Sequence, residues 1–574
     1  MADERQKSIE YARRIGRFDA IVVGGGINGI GVFRELALQG LKVLLVERGD
    51  FCSGCSAAPS RMIHGGLRYL ENGEFSLVRE SLHERDALLA NAPHMVRPLP
   101  TTIPITSTFS GMMNAAAGFF AGRGKPARRG ALPVKLGLSL YDWVTRKNRV
   151  LPKHAFRSAA DTFRMWPDLT PDLRYSASYH DAWISYPERL GVELILDATS
   201  ENAEAIALNY AEIAPVGDVF AVTDILTTER FEVSARLVVN ATGAWLDETA
   251  RQLSAGAQRH GRLVSGTKGS HLIIDSPALL KALGGHMMFF ENTDGRVCIV
   301  FPYLGKVLAG STDIRIDTPQ RVRCEDEERD YILDALKLLF PAIAITPDDV
   351  VFSYSGIRPL PQSDHAFTGR ISRGHSTIRM DGAPPQLCMV GGKWTTFRAF
   401  AEQTADVALE ELGVARVCNT RSLSIGGGAG MPTEPEVLEA ELVDRFGIEG
   451  SRARHLVDLY GTRARAVMTF CGARDDDIAL DAATPITQAE IAFLIRHECA
   501  LRLSDLVLRR TPLAITGVLN HNHIEKIAAC AAVELGWSDQ HRADEERDLI
   551  DELEAYHGVT RTMLERRTQP RRNR

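Results

Sequence analysis

The stretch that decides the fold is FDAIVVGGGINGIGVFRELALQGLKVLLVE, residues 18–47. It opens with a short apolar run, Phe18 to Val23, which predicts a buried strand. A glycine-rich turn follows and leads into a segment of helical periodicity that ends at Gly40. A second apolar run ends at Glu47, so we expect a right-handed β–α–β unit with parallel strands.

The turn between strand and helix has the spacing of a dinucleotide-binding site. Gly24 permits the tight turn, Gly26 lets the backbone approach a pyrophosphate, and Gly29 lets the helix pack close to the strand. The helix N-terminus offers free N–H groups to the phosphates. Glu47 follows at the end of the next strand, where a carboxylate binds ribose hydroxyls and disfavours a 2′-phosphate. An ordinary glycine-rich turn is the alternative interpretation, but all four parts occur at the expected spacing.

The spacing alone leaves NAD and FAD open. The other glycine-rich run, Gly426 to Gly430, is followed by Met431, which stands where a third glycine would be needed. If FAD fills the first site, no nicotinamide site is evident. Electrons would then come from the substrate and leave to another acceptor.

Composition places the chain among ordinary globular proteins. It has 574 residues, of which 45% are hydrophobic and 24% charged, so whole-chain disorder and rods are excluded. At about 150 residues per domain, the length predicts about four domain-sized units. The net charge of −6 argues against a general nucleic-acid binder. Nine cysteines and a polar N-terminus favour a reducing cytoplasm and predict neither a disulfide framework nor a secretory signal.

The chain divides at the glycine-rich linker near residue 430. Residues 17–430 mix helical patterns with β-rich stretches, whereas residues 431–557 are amphipathic helix with short breaks, which predicts a helical C-terminal domain. Residues 558–574 are rich in arginine and predict a solvated basic tail.

Residues 63–71, IHGGLRYLE, together with the N-terminal unit resemble the FAD-dependent, quinone-reducing (aerobic) glycerol-3-phosphate dehydrogenases. Other matching segments are NATGAW (240–245), KGSH (268–271), GSTD (310–313), YSGIRPL (354–360), GGKWTTFR (391–398), YGTRA (460–464), IRHE (495–498) and LRRT (508–511). The resemblance covers about residues 17 to 540.

The resemblance implies an α/β fold in which a Rossmann-type FAD-binding domain is interleaved with a β-rich substrate domain, followed by a helical cap. The substrate domain is expected at roughly 95–200 and 255–370. The implied reaction oxidises the C2 hydroxyl of sn-glycerol 3-phosphate to the ketone of dihydroxyacetone phosphate. The flavin accepts a hydride, and the electrons pass on to a quinone.

The resemblance also assigns roles to residues. His271 corresponds to the candidate base and Arg358 to a cation that stabilises the developing alkoxide. The implied phosphate and substrate binders are Arg68, Tyr69, Arg373 and Lys393, which suit a phosphate dianion. The implied FAD contacts are Gly24, Gly26, Asn28, Gly29, Glu47, Arg61, Met62, His64, Gly65, Gly66, Leu67, Thr242, Gly243, Gly392, Lys393, Trp394 and Thr395. No metal site is predicted. The alternative for His271 is a structural histidine whose hydrogen bonds are made within the protein, and the alternative for each arginine or lysine is an ordinary surface cation.

Several positions depart from the family pattern. CSAAPS (55–60) replaces a Ser/Thr-rich run, SYPER (185–189) stands where an Asp-Asp-Ala-Arg-like stretch is usual, and Ser311 stands for a threonine. Trp394 and Phe397 replace Leu and Tyr. These changes leave FAD binding expected and make the identity of the substrate less certain.

Cys52 and Cys55 form a CxxC pair. A zinc site would need a second pair at that spacing, and a redox dithiol of the flavin disulfide reductase kind would need a nicotinamide site. We set both interpretations aside.

Residues 111–150 favour a membrane contact. They carry eight basic residues and one acidic residue, beside an apolar tip at Met112, Met113, Phe119 and Phe120. The uncharged run from Pro98 to Gly122 is too rich in proline and polar residues for a spanning helix. A basic loop without a partner is the alternative. The expected location is the cytoplasmic face of a membrane; a homodimer is left open.

Three rival functions remain at the sequence level. They are the same chemistry on another polyol phosphate or 2-hydroxy compound, a hydrogen-peroxide-forming oxidase, and an RNA-associated protein that uses the arginine-rich tail.

Overall fold

The computed structural model describes residues 2–66, 74–106, 151–253, 261–363, 371 and 373–568. The predicted site residues Leu67, Arg68 and Tyr69 lie outside the described residues. So does the predicted membrane contact, residues 111–150.

The β–α–β unit of residues 18–47 forms the centre of the first sheet. The strand order is β17 (His375–Met380), β18 (Gln386–Gly391), β10 (Arg230–Asn240), β1 (Arg17–Val23), β2 (Val43–Val46) and β7 (Ala205–Leu208). β1 pairs in parallel with β10 and β2, as predicted. β8 (Ala211–Val216) and β9 (Val219–Asp224) extend β10 as antiparallel strands. The central strands are apolar on both faces because helices cover both.

Three helices cover one face of this sheet: α2 (Ile27–Ala37), α5 (Pro187–Glu201) and α9 (Phe397–Leu412). Helix α5, which the predicted boundary at residue 200 places with the substrate part, packs here because Leu190, Leu194 and Ile195 join this core. α1 (Ala2–Ile15), an element that the sequence did not predict, contributes buried Ile9 and Ala12 to the core on the other face.

The second sheet forms the β-rich part. Its order is β15 (Ile314–Ile316), β11 (Val264–Ile274), β14 (Lys306–Gly310), β13 (Val297–Tyr303), β12 (Met287–Glu291), β4 (Val96–Ile105), β6 (Tyr175–Ile184) and β3 (Met62–Ile63). β16 (Val350–Pro361) pairs with β11, and β5 (Ala155–Ser158) pairs with β6. Both parts of the predicted substrate domain therefore contribute strands to one sheet.

Helices pack around the second sheet. α4 (Ala159–Met165), α7 (Pro277–Ala282) and α8 (Asp326–Leu339) lie near one hydrophobic core, which includes Leu272, Ile274 and Ile332. α6 (Leu246–Leu253) packs on the first sheet at β18 and β10, whereas α3 (Phe75–Asn91) lies against β4 and β6 of the second sheet and against α9.

The C-terminal part is helical, as predicted. Its helices are α10 (Pro435–Phe446), α11 (Gly450–Tyr460), α12 (Ala464–Cys471), α13 (Gln488–His497), α14 (His521–Leu535), α15 (Asp539–His557) and α16 (Arg561–Thr568). A short hairpin, β19 (Ala479–Asp481) with β20 (Thr484–Thr487), interrupts them. Residues 561–568, predicted as solvated tail, instead form α16 because Leu564 is fully buried. Arg567 in α16 donates to the carbonyl of Val351.

Charged side chains join the cap to the first sheet. The carboxylate of Asp50, just after β2, accepts from Arg509 Nε at 2.5 Å and from both terminal nitrogens of Arg510 at 2.8 Å. Arg189 in α5 donates to both carboxylate oxygens of Glu498. All of these groups are buried, so the cap and the first sheet form one packed body.

Within the described ranges, none of the helices combines the length and the apolar character needed to cross a bilayer.

Candidate active site

The glycine turn leaves no room for side chains. A Cβ on Gly29 would lie 1.9 Å from the carbonyl oxygen of Gly24, and a Cβ on Gly24 would lie 2.8 Å from that of Ala241. Gly24 also has a φ of +105°. The backbone of the turn therefore sits directly between β1, α2 and β10, with its N–H groups at the helix N-terminus.

Glu47 is positioned by this turn. Its Oε2 accepts from the N–H of Gly25 at 2.6 Å, and its Oε1 accepts from the N–H of Gly49 at 2.8 Å. Burial raises the pKa of Glu47, although these two hydrogen bonds oppose the shift. The carboxylate thus lies at the end of β2 beside the turn, where the sequence predicts it. Its contact with a ribose remains a prediction.

Asn28 joins the turn to the segment after β18. Its Nδ2 donates to the carbonyl of Gly391 at 3.2 Å, and its buried Oδ1 has no hydrogen-bond partner among the described residues. Gly392 has a φ of +100°, and a Cβ there would lie 2.4 Å from Asn28 Nδ2. This close approach places the 391–395 segment against the helix N-terminus.

Ser56 connects the glycine turn with the 391–395 segment. Its Oγ accepts from the N–H of Ile27 at 2.9 Å, and its carbonyl accepts from Trp394 Nε1 at 3.0 Å. The N–H of His64 donates to Thr395 Oγ1 at 3.3 Å. Segments 24–29, 55–64 and 391–395 therefore converge. The indole bond is available only because Trp394 replaces the Leu of the family pattern.

These residues fit an FAD molecule. The glycine turn is closed to a Cβ at Gly24 and Gly29, and in the described structure Asn28 Oδ1 and both ring nitrogens of His271 are buried and unpartnered. Buried polar atoms of this kind are normally satisfied, so they indicate a polar group that completes the site.

His271 lies in β11 and is fully buried. Its ring stacks on Tyr354, with 5.0 Å between the ring centroids and 16° between the planes. Burial lowers its pKa well below the usual value, and the nearby charges of Arg358 and Arg61 lower it further. The imidazole is therefore neutral near pH 7 and has a nitrogen free to accept a proton.

Arg358 lies in β16, four residues beyond Tyr354, which pairs with His271 across the strands. It donates to Asp313 Oδ1 at 3.1 Å, to Ser311 Oγ at 3.2 Å and to the carbonyl of Thr312 at 3.3 Å. A Cβ on Gly269 would lie 1.9 Å from one guanidinium nitrogen, so only glycine leaves space for this side chain.

Two further cations lie near this pair. Arg373 is 3.7 Å from Asp313 Oδ2, and Lys393 Nζ donates to Ser81 Oγ at 2.8 Å. Burial lowers the pKa of Lys393 to about 7, although Glu80 and Glu74 oppose the shift. Burial, together with Lys393 and Arg373, lowers the pKa of His64 to about 3. The site therefore collects positive charge beside a neutral histidine, an arrangement suited to an anion.

Among the predicted cofactor residues, three have side chains that contact other parts of the protein, and a fourth is a glycine in a turn. The guanidinium of Arg61 pairs with Glu188 at 2.7 Å and lies over Tyr303 and Tyr354, and the position of Arg61 near the pyrophosphate and ring stays a prediction. Met62 is buried in the core because β3 pairs with β6. Thr242 Oγ1 donates to Asn240 Oδ1 at 2.7 Å, and Gly243 forms a left-handed turn with a φ of +60°.

Gly65 and Gly66 continue the 55–64 segment towards the residues outside the described part. The N–H of Gly65 donates to Asp181 Oδ1 at 2.8 Å, and Gly66 has a φ of +77°. Arg85 in α3 also donates to Asp181, at 3.2 Å.

Helix α3 contacts the 391–398 segment and Asp181 beside Gly65, and sequence reasoning missed it. Ser81 contacts Lys393, Glu84 forms a two-bond ion pair with Arg398 at 2.7 and 2.8 Å, and Arg85 reaches Asp181 beside Gly65. The spacing of Ser81, Glu84 and Arg85 places them on one helix face. This polar helix face was the feature of the sequence from which these contacts could have been predicted.

The chain matches two family models: FAD dependent oxidoreductase at residues 19–407, and the C-terminal domain of alpha-glycerophosphate oxidase at residues 418–542. A glycerol-3-phosphate dehydrogenase of Synechocystis sp. is 34% identical over 91% of this chain and 94% of its own length. The chain belongs to the FAD-dependent glycerol-3-phosphate dehydrogenase family. The predicted resemblance, the fold class and FAD as cofactor are thereby confirmed.

Other members of this family span the chain equally well. The aerobic glycerol-3-phosphate dehydrogenase of Staphylococcus aureus is 28% identical over 88% of this chain and 89% of its own length. The crystal structure of the Bacillus halodurans glycerol-3-phosphate dehydrogenase in complex with FAD has a TM-score of 0.75 and 24% identity, with 98% of both chains covered. This similarity supports the same overall fold for the present chain.

Replacing Gly29 by alanine is expected to remove FAD. The added Cβ would press on the carbonyl oxygen of Gly24, and the helix N-terminus would move away from the pyrophosphate position. The measurement is the flavin absorbance per protein after purification, beside far-UV circular dichroism. Gly54→Ala is the matched control, because a Cβ there meets nothing within 4 Å. A Gly29→Ala protein with full FAD content would contradict the assignment of this turn.

Proposed function

We propose that this flavoprotein oxidises sn-glycerol 3-phosphate to dihydroxyacetone phosphate and delivers the electrons to a quinone. The observation that carries the proposal is the neutral, unpartnered imidazole of His271 near the guanidinium of Arg358, which shares the carboxylate of Asp313 with Arg373. A phosphorylated polyol needs both features: positive charge for the phosphate and a base for the hydroxyl.

The residues divide the work by their chemistry. Arg373 and Lys393 bind the phosphate dianion, which fixes the orientation of the carbon chain. His271 accepts the proton of the C2 hydroxyl at a ring nitrogen, since both nitrogens lack a partner in the described structure. Arg358 stabilises the negative charge that develops on the C2 oxygen. FAD, when bound, supplies the acceptor for the hydride that leaves C2.

The acceptor and the location rest on other observations. The sequence has no second dinucleotide motif, so the electrons must leave to an acceptor other than a nicotinamide. The basic segment 111–150 with its apolar tip is suited to the anionic cytoplasmic surface of a membrane, whose hydrocarbon interior dissolves quinones. Co-sedimentation with anionic vesicles, absent with neutral vesicles, tests this location.

Anaerobic spectroscopy tests the function. We expect sn-glycerol 3-phosphate to bleach the flavin, whereas glycerol, which lacks the phosphate, leaves the spectrum unchanged at equal concentration. A ubiquinone analogue should then restore the oxidised spectrum faster than oxygen does. No bleaching by sn-glycerol 3-phosphate, but bleaching by another polyol phosphate, would reassign the substrate. Faster recovery with oxygen would identify a hydrogen-peroxide-forming oxidase.

A further inference from the structure

Glu328 lies in the first turn of α8, outside every segment that matches the family pattern. Its side chain is buried, and Oε2 accepts from the N–H of Glu325 at 3.1 Å as part of a capping box. A capping box uses only this one contact of the N3 side chain. The other contacts of Glu328 therefore need a separate explanation.

Those contacts lead away from the helix to the second sheet. Oε1 accepts from two hydroxyl groups, Ser270 Oγ at 2.8 Å and Thr312 Oγ1 at 2.6 Å. Oε2 also pairs with Lys268 Nζ at 2.5 Å. Burial alone would raise the pKa of Glu328, but the hydrogen bonds from Lys268 and Thr312 outweigh it and lower the pKa. The side chain is thus a buried carboxylate with strong, charge-assisted bonds.

Both hydroxyl partners adjoin the proposed catalytic groups. Ser270 immediately precedes His271 in β11, and alternation along the strand points the two side chains to opposite faces. Thr312 lies in the loop between β14 and β15, which both pair with β11. Its carbonyl accepts from Arg358, while its hydroxyl accepts from the N–H of Ser270 at 3.0 Å and donates to Glu328.

The loop 311–313 supplies all three described hydrogen-bond partners of Arg358, namely Ser311, Thr312 and Asp313. A single carboxylate oxygen ties this loop to β11 at the residue before His271. The guanidinium and the imidazole therefore share one anchor on the far side of the sheet.

We propose that Glu328 is a positioning residue that fixes Arg358 relative to His271 through Thr312 and Ser270. This inference rests on the proposed function, in which those two groups act on the same C2–OH. A change at Glu328 shifts the alignment of Arg358 with the developing charge and leaves the phosphate contacts of Arg373 and Lys393 in place. The rate of flavin reduction should fall, while substrate affinity stays the same.

The test is stopped-flow flavin reduction in the anaerobic holoenzyme with sn-glycerol 3-phosphate. Glu328→Gln is expected to lower the limiting reduction rate on the order of tenfold or more, with the substrate dissociation constant changed little. Asp330→Asn is the matched control on the same helix, because its exposed carboxylate pairs only with Arg329 in the described structure. The control should reduce at the wild-type rate. An unchanged rate in Glu328→Gln would overturn the proposal.

A double-mutant cycle separates positioning from general destabilisation. In an Arg358→Lys background the loop no longer holds a guanidinium, so adding Glu328→Gln should cost little more. An equal loss in both backgrounds would overturn the route through Arg358. If Glu328→Gln fails to fold, Thr312→Val replaces it as the test, because valine removes the bridging hydroxyl and keeps the branched shape. A wild-type reduction rate in Thr312→Val would then overturn the proposal. Bleaching of the wild-type enzyme by sn-glycerol 3-phosphate tests the proposed function by itself. A failure of the proposed function is therefore distinguishable from a failure of the proposal for Glu328.

Discussion

Replacing His271 by alanine is expected to leave FAD bound and to slow flavin reduction by sn-glycerol 3-phosphate on the order of 10²–10⁴-fold. The imidazole is fully buried against Tyr354, and neither nitrogen has a partner among the described residues. No structural hydrogen bond is therefore lost. The lowered pKa keeps the ring neutral, and a neutral ring is the form that accepts a proton.

The measurement is the limiting rate of anaerobic bleaching, with the absorbance spectrum as the check on FAD content. His271→Gln, which keeps a planar polar side chain and lacks a basic nitrogen, should resemble the alanine variant. His286→Asn is the control, because His286 packs on Trp166 and bonds Thr102 instead of lying beside Tyr354. Wild-type bleaching in His271→Ala would remove this residue from the mechanism.

The second large effect concerns stability. Asp50→Ala is expected to destabilise the holoenzyme by about 3–5 kcal/mol, the usual cost of breaking a buried ion pair. The change leaves Arg509 and Arg510 buried without their shared carboxylate. It also removes the acceptor of Asn209 Nδ2, which lies 3.1 Å from Asp50 Oδ1. The readout is the midpoint of urea unfolding at fixed FAD and protein concentrations.

The same carboxylate predicts a pH dependence. Arg510 and Arg509 outweigh the effect of burial and lower the pKa of Asp50 to about 2, below the value of about 3.9 for an unfolded aspartate. Its stabilising contribution is therefore complete above about pH 4 and is lost as the pH falls towards 2. Asp544→Ala, at an exposed pair with Arg547, is the control and should leave the unfolding midpoint nearly unchanged. Equal midpoints for the Asp50 and Asp544 variants would contradict the prediction.

The sequence predicted the parts of the site that are built from local backbone. Gly24, Gly26 and Gly29 act within one turn, so their spacing, together with the preceding strand, the following helix and Glu47, predicted a dinucleotide site. The roles of His271 and Arg358 came from the family resemblance, and only the structure places them on paired strands, since nothing in local periodicity pairs β11 with β16.

The remaining contacts join residues far apart in the chain. Arg61 was assigned to the cofactor because of its neighbours, whereas its side chain meets Glu188, 127 residues later. Lys393 is held by Ser81 at a separation of 312 residues. Residues 561–568 form a helix instead of a solvated tail because the side chain of Leu564 is buried against the C-terminal helices. Such contacts depend on the tertiary structure, so no short sequence pattern predicts them.

The bond between Asp50 and the cap has a consequence for the order of synthesis. Asp50 lies three residues beyond Glu47, and the N–H of Cys52 in the same loop donates to the carbonyl of Gly25. Arg509 follows Asp50 by 459 residues. At 5–20 residues per second, a ribosome needs roughly 20–90 s to make that stretch. For that time the nascent N-terminal part lacks the two arginines that pair with Asp50 in the folded chain, so the loop beside the glycine turn gains these bonds only after the last domain is made.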